Sequence, residues 1–171
     1  MKTIILSLFL ILSSAAKSQV SSNIISKEDF NNIEINNVKL KDIKATNADK
    51  NELDSLFTYD LLKSSSIDPD GEFYNYGFDG FSIGFSGIMG TLRNPIISSF
   101  EITNTNWEMT IQGKTITIGS HKDELGNVIL NNQVGGGKSV IYQYCEGCNN
   151  FLSLYLDSNN RIKKIVYVEI T

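Results

Sequence analysis

The sequence predicts an α+β domain, an antiparallel sheet of roughly six to eight strands with two short helices on one face. Three observations carry this. Residues 140–144, 151–156 and 162–170 read as three strands joined by turn-rich links, Thr46 to Asp49 and Ser120 to Asp123 form two helix-opening patterns, and the two halves of the chain repeat one order of features.

The chain begins with Lys2, an apolar run over residues 4–12 and small residues over 13–18, the layout of a cleavable secretory signal. The run is well short of the 18 or so apolar residues that span a bilayer, and no second candidate span follows. Cleavage after Ala16 or after Ser18 fits the small residues, and the second leaves Gln19 first. No cysteine follows the run, so the expectation is an exported protein, periplasmic or extracellular, without a lipid anchor or an integral span. Cleavage after Ser18 leaves 153 of the 171 residues, enough for one domain with its own core. Loss of Lys2 and Lys17 takes the formal charge from −4 to −6. An acidic chain without a block of Lys or Arg has no footprint for phosphates, which argues against nucleic acid as a partner. Arg161, Lys163 and Lys164 cluster, and they read as a solvated turn and strand face.

Residues 19–37 are rich in Asn and Ser and read as a loose polar arm. The single domain is expected over 38–171. Residues 38–44 alternate Val38, Leu40 and Ile43 with lysines and read as a strand; Thr46-Asn47-Ala48-Asp49 then opens a helix carrying Leu53, Leu56 and Phe57. Asp68-Pro69-Asp70-Gly71 is a strong turn signal. Residues 73–87 are aromatic and glycine-rich, with Phe81, Ile83 and Phe85 alternating against Ser82, Gly84 and Ser86: a strand with one bulky and one bare face. Residues 96–102 form another strand, and Trp107, Met109 and Ile111 lead through Gln112-Gly113, a hairpin turn, into residues 115–118. Ser120-His121-Lys122-Asp123 opens a second short helix through Leu125, Val128 and Ile129, and 131–137 reads as a flexible loop. The last three strands form an antiparallel meander.

The halves match as strand, cap, helix, tyrosine pair and strands, with Tyr74-Asn75-Tyr76 against Tyr142-Gln143-Tyr144 and Asn51-Glu52-Leu53 against Asp123-Glu124-Leu125. A diverged tandem duplication with halves 38–104 and 105–171 explains the spacing, and chance likeness of two ordinary segments is the alternative. The helix start TIGSHKDEL, the YQY strand and the ending LYLDSNNRIKKIVYV resemble small α+β envelope domains of the outer-membrane-assembly lipoprotein type (SmpA/OmlA-like) and the tandem β-lactamase-inhibitor-like repeat; the chain is also similar to other secreted bacterial proteins of its length. The resemblance covers about half the chain and rests on patterning. It implies helices on one face of an antiparallel sheet and a function by binding.

Several motifs suggest chemistry. Gly80-Phe81-Ser82-Ile83-Gly84 matches the nucleophile pattern G-x-S-x-G, yet the strand alternation runs straight through Ser82, and His121 is the single histidine that could serve it as base. Gly135-Gly136-Gly137-Lys138-Ser139 lacks the earlier glycine of a phosphate loop, since Asn132 stands there, and strand follows it. Asp68 and Asp70 begin like a calcium loop, but Phe73 and Tyr74 stand where later oxygen ligands are needed. Asp123 and Glu124 adjoin at a helix start and do not face one another. Cys145 and Cys148 are open to a redox, a zinc or a disulfide reading. Zinc wants a second ligand pair and redox chemistry a helix start, so a structural disulfide is the expected state, worth about 2 kcal/mol at most.

The expected function is therefore non-catalytic binding of an envelope or secreted protein, with no metal or other cofactor; the alternative is a small secreted hydrolase using Ser82. The crowding of Phe73, Tyr74, Tyr76, Phe78 and Phe81 means that some rings face outward if one sheet face alone is covered. Tyr74 and Tyr76, with Trp107 beside them, form the candidate contact patch; if both faces are covered, all these rings are core.

Overall fold

The computed structural model describes residues 21–68, 71–87 and 95–170. The expected signal peptide, residues 1–18, lies outside them, as do Pro69 and Asp70 of the expected turn.

A two-residue strand, β1 (Asn23–Ile24), leads to helix α1 (Lys27–Asn31). Ser26 caps it, its Oγ accepting the Asp29 N–H at 2.9 Å and so pairing an amide that a helix start leaves open. Ile25, Phe30, Ile33 and Ile35 are buried. The loose arm expected over 19–37 is thereby corrected for its described part: Ser and Asn act there as caps and turns, and the apolar residues between them go inward except Ile24, which is exposed. Asn36 and Asn37, at φ 47° and 66°, close the hairpin of β2 (Glu34–Ile35) and β3 (Val38–Lys39).

The strand expected over 38–44 ends after two residues and becomes α2 (Leu40–Ala45). Leu40 and Ile43 are both fully buried, and their spacing of three suits one helix face where a strand would split them between its two faces. Helix α3 (Lys50–Phe57) begins where expected, with Asp49 as cap: its Oδ1 accepts the Glu52 N–H at 3.0 Å. Leu53 and Phe57 face the core, and Leu56 is exposed at the rim.

An antiparallel meander follows: β4 (Leu62–Asp68), β5 (Gly71–Phe78), β6 (Phe81–Gly87) and β7 (Ile96–Ile102). The single strand expected over 73–87 is two, split by Asp79 (φ 35°) and Gly80 (φ 79°), a two-residue turn whose positive φ angles match the strand twist. The β8 (Glu108–Ile111) and β9 (Lys114–Thr117) hairpin turns at Gln112-Gly113 as expected. The second expected α-helix is one 3-10 turn, Lys122–Leu125. His121 caps it, accepting the Asp123 N–H on Nδ1 at 3.4 Å, while Glu124 Oε1 accepts the His121 N–H at 2.7 Å; Gly126, at φ 79°, ends it. The loop expected over 131–137 begins as strand: β10 (Leu130–Asn132) pairs with β11 (Lys138–Gln143), and β12 (Asn150–Leu156) and β13 (Ile162–Glu169) complete the expected meander.

The main sheet runs β1-β11-β12-β13-β7-β6-β5-β4, with β10 beside β1 on the same edge of β11; a small sheet runs β3-β2-β8-β9. Both are assembled about a central antiparallel seam, β7·β13 in the first and β2·β8 in the second. Each half of the chain thus supplies a hairpin, a helical segment and a four-strand meander. The register aligns Tyr76, Ile83 and Phe100 in one half with Tyr142, Leu152 and Tyr167 in the other. It is Tyr76, not Tyr74, that sits opposite Tyr142 in this arrangement, and the first hairpin begins at Glu34, ahead of the boundary expected at 38.

The core fills the space between the two sheets and the helices. On its main-sheet side lie Phe81, Ile83, Phe85, Phe100, Ile102, Val140, Leu152, Leu154, Ile165 and Tyr167; on the opposite side lie Leu40, Ile43, Leu53, Phe57, Trp107, Met109 and Ile116. Phe100 and Tyr167 stack across the central seam with centroids 5.1 Å apart. The architecture is α+β, antiparallel throughout except for the β1·β11 pair.

Candidate functional site

The expected contact patch dissolves into the core, and this corrects the sequence reading. Tyr76 and Trp107 are each 1% exposed. The Tyr76 hydroxyl donates to the Ala48 carbonyl, and the Trp107 indole N–H donates to the Asp79 carbonyl at 2.9 Å while its ring stacks on Phe81 at 4.4 Å. Tyr74 is half-buried; its hydroxyl donates to Glu72 at 2.7 Å, and Lys63 Nζ lies 4.8 Å from its ring. That bond and partial burial raise its pKa. The physical reason is alternation in β5: Tyr74, Tyr76 and Phe78 share the face that α3 and the small sheet cover. Of these, Phe78 remains exposed, stacked on Tyr59 at 4.6 Å.

The nucleophile pattern does not assemble. Ser82 is the second residue of β6, opposite Gly77 and Glu101, and strand continues after it to Gly87, with no strand-to-helix elbow. Glu101 pairs with Lys164 at 2.6 Å, and His121 bridges to Arg161 and uses Nδ1 in its cap. The glycine run 135–137 is the tip of the β10–β11 hairpin, and Lys138-Ser139 is strand, so no helix N-terminus meets a phosphate there. Asp70 of the calcium pattern lies outside the described residues. Among the described residues no group of three or more His, Cys, Asp or Glu is placed to hold a metal, and no helix is long and apolar enough to cross a membrane. Cys145 and Cys148 are bonded, with Cα atoms 5.4 Å apart, at the tip between β11 and β12.

What does assemble is a groove of about 880 Å³ on the outer face of the main sheet, over β11 and β12. Its floor is the side of these strands that faces away from the core: Ile141 and Gln143 on β11, Phe151, Ser153 and Tyr155 on β12. One wall is the β10–β11 hairpin, with Leu130, Asn131, Asn132, Gln133 and Val134; the other is the disulfide tip, with Glu146, Gly147, Cys148 and Asn149, joined by Ile170.

The walls are pinned. Ser21 and Asn131 exchange two hydrogen bonds, at 2.9 and 2.7 Å. Gln143 receives the Ser22 hydroxyl and donates to the Cys148 carbonyl at 2.7 Å, tying the disulfide tip to the floor. Gln133 donates to Ser139, and its backbone N–H closes the hairpin on Gly137 at 3.0 Å. Ile170 N–H donates to Asn149 at 3.2 Å. Among the described residues no hydrogen bond engages the side chains of Asn132, Asn149 and Glu146 or the Tyr155 hydroxyl.

The sequence reading passed over this site although a signal exists. In β12 both alternating sets are bulky, Leu152, Leu154 and Leu156 on one face and Phe151 and Tyr155 on the other. A strand with large side chains on both faces has no purely solvated side. By contrast, the outer face of β6 and β7 carries Ser82, Gly84, Ser86 and Ser99.

No protein family, curated protein or solved structure matches this chain.

Proposed function

We propose that this chain is an exported binding protein that acts by non-covalent capture through the outer-face groove. The groove carries the reading: it is a concave, pinned, mixed apolar and polar surface of the kind that small-ligand sites use, and its volume falls within their usual range of about 300–1,000 Å³. It takes the place of the patch at Tyr74, Tyr76 and Trp107, whose rings go to packing. Export is the reading of the first 18 residues, and the bonded cysteine pair at the groove wall suits an oxidising compartment. The resemblance to SmpA/OmlA-like and inhibitor-like domains implies the same class of function, binding.

Two measurements test this. Intact mass of the protein recovered from outside the cytoplasm should show residues 1–18 removed and both cysteines unreactive to a thiol label without reductant; a full-length cytoplasmic chain with two labelled thiols overturns export. Tyr155→Ala should weaken retention of a ligand from the export compartment about tenfold, the scale of one lost ring contact, while leaving the unfolding midpoint unchanged. Retention that it leaves unchanged moves the site off the groove.

A further inference from the structure

Resting on the groove as the binding site, we propose that its ligand is an uncharged saccharide chain, with Tyr155 and Phe151 as stacking faces and Asn132, Asn149 and Glu146 as hydrogen-bonding groups.

The argument starts from charge. The chain carries 15 basic residues, yet among the described residues the lining contains no Lys, Arg or His and a single carboxylate, Glu146. Phosphates, sulfates and carboxylates are recognised by cations, most often in bidentate pairs, and nothing in this lining supplies one. A cationic ligand would want a cluster of carboxylates, and the lining has one, at the rim. Neutral hydrogen-bonding groups dominate instead: the carboxamides of Asn131, Asn132, Gln133, Gln143 and Asn149 with the hydroxyls of Ser153 and Tyr155.

The mixture matters as much as the neutrality. A carboxamide offers donors and an acceptor side by side, which suits a vicinal pair of hydroxyls where each oxygen both gives and receives. The flat faces of Phe151 and Tyr155, four apart on β12 with Ser153 between them on the same face, give apolar area at low entropy cost, which suits the C–H faces of a sugar ring. A ligand with apolar faces and hydroxyl edges satisfies both parts of the lining. A purely apolar ligand would strip water from the carboxamides without replacing it.

An extended peptide fits less well. Peptide strands are held on sheets by adding to an edge, where backbone N–H and C=O groups stand unpaired. The floor strands have none to give: β12 lies between β11 and β13, and β11 is paired with β12 on one side and with β1 and β10 on the other. A peptide here would leave its own backbone to side-chain amides, several of which are already committed to the walls.

The test is a titration of the exported chain, followed by calorimetry and by backbone amide NMR, with soluble β-glucan, mannan, xylan and N-acetylglucosamine oligomers as probes. At least one should bind at millimolar concentration or tighter, moving the amides of residues 130–134 and 151–155. Tyr155→Ala should weaken that binding about tenfold, the scale of one stacked ring, and Tyr155→Phe should retain most of it. No binding by any of the four probes overturns the proposal, as does binding that Tyr155→Ala leaves unchanged. Running a pool of uncharged peptides beside them separates the two levels of the argument. Peptide binding that moves the same amides while no saccharide binds removes the saccharide and keeps the groove as a binding site. Silence from both sets at those amides removes both.

Discussion

Trp107 shows how closely a residue's role follows its place in the alternation. It stands two residues before Met109 and four before Ile111, and all three are buried at 1% exposure or less. The indole fills the end of the core between Phe81 at 4.4 Å and Phe57 at 5.8 Å, and its N–H is spent on Asp79. Trp107→Ala should therefore cost about 3–5 kcal/mol, the range for emptying a buried aromatic site, read as a lower urea midpoint. Tyr74→Ala, at a half-buried position, should cost distinctly less; equal costs would mean that the end of the core is not organised around Trp107. Two other tyrosines carry a pH signature. Burial pushes the Tyr142 hydroxyl up to about 12 and also raises that of Tyr167, which is further held by its bond to Glu169. A pKa raised by folding means that the folded state holds its proton more tightly than the unfolded state does. The stability tied to it is complete below the ordinary tyrosine value of about 10 and is lost as pH rises through the folded value. In an alkaline titration of phenolate absorbance these two should ionise above the ordinary tyrosine value, together with loss of folded circular dichroism. Ionisation of both at about 10 in a folded chain would contradict their burial.

Elements were legible in the sequence where one face is bulky and the other bare, as in β6, or where turn chemistry is unambiguous, as at Gln112-Gly113. They were less legible where context decides. β4 contains Lys63-Ser64-Ser65-Ser66, no strand by side-chain pattern, yet it pairs along its full length with β5, because an edge strand needs one bonded neighbour and little packing of its own. At α2 the spacing of Val38 and Leu40, two apart, suits a strand, and the burial of Leu40 with Ile43 decides for a helix. The groove is not legible for a related reason: it needs four separated segments, residues 21, 130–134, 141–155 and 170, which no local pattern links. The Asp79-Gly80 turn sat unnoticed inside an aromatic run, and it makes a sharp test. A Cβ on Gly80 would meet the Asn104 side chain at 2.5 Å, and its φ of 79° strains any L-residue. Gly80→Ala should cost about 1 kcal/mol or more in chemical denaturation. At the α3 cap, Asp49→Ala should cost about 1 kcal/mol through loss of the bond to Glu52 N–H. If Gly80→Ala is neutral, the turn does not hold this backbone.

At the scale of the whole molecule, the two halves are joined so that neither has a complete core of its own. The main sheet is closed by β7·β13, with Ile102 opposite Ile165 and Phe100 opposite Tyr167; the small sheet is closed by β2·β8, with Ile35 opposite Met109. The small sheet and the helices cover one face of the main sheet, and the buried residues of both halves form one cluster. Phe30, in α1, packs on Tyr144, just after β11, at 5.5 Å and on Tyr167, in β13, at 6.0 Å. Apolar contacts that cross the seams in this number make separate unfolding of one half costly, because it would expose the inner face of the other. The chain should therefore unfold in one transition. Trp107, from the second half, packs on Phe57 and Phe81 of the first, so its fluorescence reports that shared end of the core, while tyrosine absorbance follows Tyr59, Tyr74 and Tyr76 in the first half and Tyr142, Tyr144, Tyr155 and Tyr167 in the second. Phe100→Ala, which empties the seam itself, should lower both midpoints together by about 3–5 kcal/mol of stability. Two resolved transitions, or a tyrosine midpoint that stays put while the tryptophan midpoint falls, would show that the halves are separate folding units that merely touch.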